Sequence, residues 1–146
     1  MTILALNVAA VLLIIGALHG FWGLRIWLPV RDEQQLARSV VGARDIVSMP
    51  PPLQCFLVAF ALFGGTLGIL ALAGIVSLPF VPFVLVQAGM AFFSAIFIMR
   101  GLIGFTPFWA RITPEMPFRS LDRRVYSPLC VLIGVGIVTV VVSGLT

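Results

Sequence analysis

The side chains in this sequence that could do chemistry are few, and they lie near the ends of long apolar runs. His19 is the single histidine, and Arg100 closes another apolar run. Asp122, Tyr126 and Cys130 follow in the stretch FRSLDRRVYSPLC. A histidine, a tyrosine and a thiol beside an arginine–aspartate pair could transfer protons, act on a small substrate or bind an anion. Whether these side chains come together depends on the helices that carry them and on how those helices pack.

The composition is that of a membrane protein. Hydrophobic residues make up 61% of the 146 residues and charged residues 10%, whereas a soluble domain has about 45–50% apolar and about 25% charged residues. A helix needs about 20 apolar residues to cross a bilayer. We therefore predict one all-α membrane domain over 1–146, a four-helix bundle running up-down-up-down. Its helices are predicted at 3–24, 53–76, 81–105 and 126–145, and its cytoplasmic loops at 25–52 and 106–125.

The distribution of arginine predicts the orientation of the bundle. All nine basic residues are arginines, and they lie in or beside the two predicted loops, while the turn at 77–80 and both termini carry no charged side chain. Because arginine near helix ends stays on the cytoplasmic side, both termini should face out. The arginines would also contact anionic lipid head groups. No nucleic-acid partner is expected, since the arginines are spread along one membrane face without a nucleic-acid-binding motif.

Small residues place the polar side chains inside the predicted bundle. Glycines share a helical face with His19 and, in the third helix, with Arg100. Such faces let helices approach closely, so both side chains should point into the bundle at similar depth. Tyr126 and Cys130 would enter at that level from the fourth helix, one turn apart, and Asp122 would fold back over them. Ser127 is predicted as the N-cap of that helix.

Two interpretations of this cluster remain open. In the structural one, Arg100 pairs with Asp122, His19 bonds Tyr126 or a carbonyl group, and the cluster closes the inner end of the bundle. In the functional one, the same four residues bind a small anionic or lipid-like ligand, or form the site of a small membrane enzyme or carrier. We predict neither a metal nor another cofactor, because one histidine and two cysteines supply too few ligands. Both cysteines are expected to be reduced.

The first loop has its own alternatives. Leu36, Val40, Ile46 and Val47 fall roughly on one helical stripe, which favours a short helix lying on the membrane. Gly42 interrupts the stripe, so disorder over 29–52 is the competing prediction.

Three motifs resemble those of a known family. They are LHGFWGL in the first helix, RGLIGF in the third and FRSLDRRVYSPLC before the fourth. Together they resemble the small bacterial four-helix membrane proteins described as domain of unknown function 3995. That family usually has an acidic residue where this chain has Gly104, so this chain lacks that carboxylate. The resemblance implies a multi-pass protein of the bacterial inner membrane and no particular reaction. It marks an inner-end ligand-binding or structural cluster: His19, Trp22, Arg100, Asp122, Arg124, Tyr126 and Cys130.

These observations predict a non-catalytic membrane protein, either an accessory or scaffold subunit or a binder of a small lipid-like ligand. The alternative is the small membrane enzyme or carrier described above. A protein partner or a second copy of the chain is compatible with the scaffold role.

The predicted orientation can be tested at the C-terminus. A reporter enzyme that is active only in the periplasm, fused after Thr146, should be active, because nine arginines hold the opposite ends of the helices in the cytoplasm. Activity of a cytoplasm-only reporter at the same position would contradict the orientation.

Overall fold

A computed structural model describes residues 1–144, and over that range the chain is all-helical, without strands. A π-helical turn, Asp122–Tyr126, joins the last two α-helices into one continuous rod. The predicted end of the fourth helix at Leu145 lies outside the described residues. The α-helices are α1 Thr2–Gly23, α2 Glu33–Val40, α3 Pro52–Leu72, α4 Phe83–Gly104, α5 Pro107–Ile112, α6 Phe118–Leu121 and α7 Ser127–Ser143.

Four of these helical segments are long and apolar enough to cross a membrane, which confirms the prediction of four membrane-length helices. They are α1, α3, α4 and the rod Phe118–Ser143 formed by α6, the π turn and α7. The rod begins eight residues before the predicted start at 126. The arginine-rich RSLDRR segment is therefore helix and not loop.

Ser127 is not the N-cap that the sequence predicts. Its backbone is helical, with φ −66° and ψ −47°, and its N–H donates to the carbonyl oxygen of Asp122 five residues earlier. This bond belongs to the π turn, which inserts one residue into the helical ladder and changes the direction of the side chains that follow. The serine hydroxyl is left available for contacts with α4.

The helices pack chiefly in two pairs, α1 with α3 and α4 with α7. Glycines bring both pairs together: Gly16 lies against Phe63, and Gly134 lies against Ser94 and Ile98. At the centre, Leu12 of α1, Ile69 of α3 and Ile137 of α7 are fully buried in one apolar cluster. Contact between α3 and α4 is less extensive.

The small-residue face of α3, Ala61, Gly64, Gly65 and Gly68, is only partly buried. Gly65 and Gly68 of α3 are covered by side chains of α4, Phe93 and Met90. Gly64, by contrast, is exposed, and an added Cβ there would meet no atom within 4 Å. The face splits because α3 makes its main contact with α1.

The first loop contains a short helix that packs on protein. Asp32 caps α2 by accepting a 2.7 Å hydrogen bond from the backbone N–H of Gln35. Leu36 is fully buried in a second apolar cluster with Trp22 and Met49. Val47, the last member of the predicted stripe, is 67% exposed. The structure thus has a helix rather than disorder here, and its apolar side covers the bundle.

The two arginine-rich segments, 24–51 and 105–126, contact each other through Glu115. Its carboxylate accepts hydrogen bonds from Arg38 Nε and from the backbone N–H of Asp45, both at 3.2 Å. Its own N–H donates to the carbonyl oxygen of Gly42, also at 3.2 Å. Gly42 has φ +67° and lies against the Phe118 ring, where a side chain would collide. We call this part of the molecule the arginine-rich end.

Packing between α4 and α7 can be tested by adding one methyl group. Replacing Gly101 by Ala should lower thermal stability in detergent, because the new Cβ would lie 2.7 Å from the backbone carbonyl oxygen of Ser127. Overpacking of this kind costs about 1–3 kcal/mol. The matched control is Gly89→Ala in the same helix, where a Cβ meets no atom within 4 Å. Equal melting temperatures of the two variants would contradict the packing described here.

Candidate functional site

An ion pair between Arg100 and Asp122 forms the centre of the candidate site. Arg100 Nη2 donates to Asp122 Oδ1 at 2.6 Å. The aspartate side chain is only 3% exposed and the arginine 31%. Arg100 Nη1 also lies 3.5 Å from Ser127 Oγ, a long hydrogen bond. The predicted contact between Arg100 and Asp122 is therefore present, and it joins α4 to the rod that contains α7.

The aromatic ring of Trp109 covers the same guanidinium. Arg100 Cζ lies 4.7 Å from the centroid of the ring, within the range of a cation–π interaction. Trp109 is held by the N-terminus of α5, where Thr106 Oγ1 accepts a 3.2 Å hydrogen bond from the Trp109 N–H. Its indole Nε1 is buried and has no hydrogen-bond partner among the described residues. Sequence reasoning missed Trp109, although TPFW directly follows the RGLIGF motif.

The absence of a side chain at Gly104 makes room for the pair. An added Cβ there would lie 3.0 Å from Asp122 Oδ2 and would overlap the Ser127 hydroxyl. The π turn brings both of these groups against α4, since Asp122 begins it and Ser127 follows it. With this backbone, an acidic side chain at position 104 would not fit. Asp122 is thus the carboxylate that the pair uses.

His19 lies in a separate place from the ion pair. Its Nδ1 is 2.8 Å from the carbonyl oxygen of Ile15, so Nδ1 carries the hydrogen. Its ring is 4.7 Å from the ring of Trp22, centroid to centroid. Trp22 is buried, and its Nε1 donates to the carbonyl oxygen of Leu28 at 2.7 Å. His19 therefore bonds a carbonyl group, one of the two partners that the structural interpretation allows.

Tyr126 also bonds a carbonyl group and not His19. Its hydroxyl donates to the carbonyl oxygen of Ser39 in α2 at 3.1 Å. No hydrogen bond or ion pair within residues 1–144 joins either ring to the Arg100–Asp122 pair. For His19 the physical reason is the pairing of helices, because α1 packs mainly against α3 whereas α4 packs against α7. Tyr126 is on the same π turn as Asp122, but its hydroxyl reaches α2 instead.

The two remaining predicted residues make no side-chain hydrogen bond or ion pair among residues 1–144, although Cys130 lies close enough to Arg100 and Asp122 to be affected by both charges. Arg124 is exposed on the π turn, and Cys130 is a half-buried free thiol on α7. Cys55, at the start of α3, is buried and also free. Within the described part of the chain, no group of three or more His, Cys, Asp or Glu residues is placed to hold a metal ion.

A cavity of about 240 Å³ reaches the ion pair from one side. Its wall consists of residues from the end of α4, from α5, from α6 and from the π turn, with Trp109, Arg119, Asp122 and Arg123 among them. His19 and Tyr126 do not line it. The cavity therefore does not join the four residues that the enzyme or carrier interpretation requires.

The chain belongs to the family described as "Protein of unknown function (DUF3995)", whose sequence model matches residues 12–137. This match confirms the resemblance carried by the three motifs. No curated protein and no solved structure matches the chain significantly.

The ion pair can be tested by a double-mutant cycle with Arg100→Leu and Asp122→Leu. Removing one partner should cost about 3 kcal/mol, the lower end of the range for a buried pair, because Arg100 is 31% exposed. The double variant should lose much less than the sum of the single variants, since neither charge is then left unpaired. Thermal unfolding of the wild type, both single variants and the double variant in detergent gives the coupling free energy between the two side chains.

A matched control is the exposed pair Arg25–Glu33, whose charged atoms are 3.1 Å apart. The same cycle there should give a coupling of only about 0.2–1 kcal/mol. Strict additivity at Arg100 and Asp122 would show that these two side chains do not interact.

Proposed function

We propose that this member of the DUF3995 family is a non-catalytic protein of the bacterial cytoplasmic membrane, an accessory or scaffold subunit whose bundle is closed at the arginine-rich end. The observation that carries the proposal is that Arg100 is paired within the protein. Asp122, Ser127 and Trp109 engage its guanidinium. A cation whose charge is already balanced by a buried carboxylate has less charge to offer a substrate or a proton relay.

The separation of His19 supports the same proposal. A catalytic histidine needs a partner within hydrogen-bond reach and a route for substrate. His19 instead makes its hydrogen bond to the backbone of its own helix. The small-enzyme or carrier alternative would require a water-filled path that brings His19 and Tyr126 to the Arg100–Asp122 pair.

We further propose that the bundle runs up-down-up-down with both termini outside. Contacts between neighbouring helices support opposite directions: Gly16 lies against Phe63, and Gly23, later in α1, lies against Phe56, earlier in α3. The pair α4 and α7 shows the same reversed order. Both arginine-rich segments then share one side, as the tendency of arginine to stay cytoplasmic requires. A scaffold needs a partner, and we propose a second copy or another membrane protein.

Ligand binding is the second candidate function, and a specific observation favours it. The cavity beside Asp122 is lined by arginines that have no carboxylate partner among residues 1–144. A partly open cavity with unpaired cations in its wall is suited to an anion.

The native cysteines can test whether the arginine-rich end is closed. In sealed membrane vesicles, a water-soluble maleimide should leave Cys55 and Cys130 unlabelled until the protein is denatured, because a thiol packed in the bundle or facing lipid does not form a thiolate. Mass spectrometry of the intact protein counts the labels.

Two single-cysteine variants, made after replacing both native cysteines by Ala, serve as controls. Arg123→Cys should react from the cytoplasmic side and Ser77→Cys from the opposite side, since both positions are exposed. Rapid labelling of Cys130 in the native protein would reveal a water path to the ion pair and would favour the enzyme or carrier.

A further inference from the structure

The cavity between α5 and the π turn has the chemistry of a phosphate site. Its volume is about 240 Å³, below the roughly 300–1,000 Å³ of pockets that enclose drug-sized ligands. It therefore suits one small group rather than a whole large molecule. Arg119 and Arg123 lie in its wall four residues apart, where side chains on a helix are neighbours.

The charges around the cavity are unbalanced. Asp122 is the single carboxylate in its wall, and Arg100 already pairs with it at 2.6 Å. Arg119 and Arg123 have no ion pair within the described residues. Both arginines are exposed, so water screens part of the repulsion between them, and an anion between them would remove the rest. The positive charge that remains attracts an anion despite the presence of Asp122.

The wall of the cavity also has more hydrogen-bond donors than acceptors that are free to receive them. Thr106 and Thr113 use their hydroxyl groups on backbone atoms. The buried Trp109 Nε1–H has no acceptor. Buried donors are nearly always paired in folded proteins, and the partner is often a water or a ligand. An anion with several acceptor oxygens would pair with both guanidinium groups, and a small movement of the Trp109 ring in the wall would give its indole N–H an acceptor.

We propose that this cavity binds the phosphate group of a phosphate ester, gripped by Arg119 and Arg123 and accepting a hydrogen bond from Trp109 Nε1. Arginine matches phosphate because its forked N–H groups bond two oxygens at once. The group comes either from an anionic phospholipid head group or from a soluble phosphate ester. This inference deepens the ligand-binding candidate and rests on the placement of the arginine-rich end at the membrane surface.

The Trp109 indole gives a direct readout. The chain has three tryptophans, so ¹⁵N-tryptophan labelling gives three indole N–H signals, and Trp109→Phe identifies the one that belongs to Trp109. The protein is studied in a phosphorus-free maltoside detergent. One titration adds short-chain phosphatidylglycerol, and another adds glycerol phosphate with inorganic phosphate as a second soluble probe.

The Trp109 signal should move downfield and saturate in at least one titration. Movement with the lipid alone assigns the site to a head group, and movement with the soluble probes assigns it to a soluble ester. Arg119→Gln and Arg123→Gln should each weaken the apparent Kd about tenfold, the loss of one strong charge-assisted interaction. Arg111→Gln, an exposed arginine outside the cavity wall, is the matched control and should change the Kd less than twofold.

A signal that responds to neither probe overturns the proposal. Equal losses of affinity in the Arg111, Arg119 and Arg123 variants overturn it as well, because binding would then depend on the overall positive charge of the surface and not on this cavity. Maleimide labelling of Cys130 reports on the closed bundle alone, so the failure of the scaffold proposal is distinguishable from the failure of the phosphate site.

Discussion

A cation at the end of an apolar helix constrains the rest of this structure. A guanidinium turned toward protein near the hydrocarbon core of a bilayer is stable only when an anion and other polar groups surround it. Arg100 obtains these from Asp122 and Ser127, and the Trp109 ring covers its face. Each partner comes from the segment after α4. That segment must therefore turn back on α4 and hold its side chains in place.

The local geometry of the arginine-rich end follows from this requirement. The π turn directs Asp122 and Ser127 toward α4, and Gly104 leaves them the space. Glu115 then ties the same segment to α2 by accepting hydrogen bonds from Arg38 and Asp45. Hydrogen bonds between polar side chains thus fix the position of the Arg100 site, whereas apolar packing holds the four long helices together. The phosphate site that we propose occupies the space between these elements.

Much of this arrangement could be predicted from the sequence. Four apolar runs predict four membrane-length helices, and the cost of an unpaired arginine predicts that Asp122 meets Arg100. Other features have no local signal. The π turn places Asp122 and Ser127 against α4, and helical periodicity in the sequence does not reveal such a turn, so Ser127 was wrongly predicted as an N-cap. The separation of His19 depends on which helices pair, a choice made by interlocking side chains such as Phe63 against Gly16.

The central claim is that Arg100 and Asp122 are bonded in the membrane, and solid-state NMR in lipid bilayers tests it most directly. Arg100–Asp122 is the one arginine–aspartate ion pair among residues 1–144, since the other two pairs involve glutamate. With ¹³C in aspartate and ¹⁵N in arginine, one aspartate carboxyl signal should therefore be dephased by guanidinium nitrogen, as a 2.6 Å hydrogen bond requires. The effect should vanish in Asp122→Asn. No dephased carboxyl signal, or one that survives this substitution, would contradict the account.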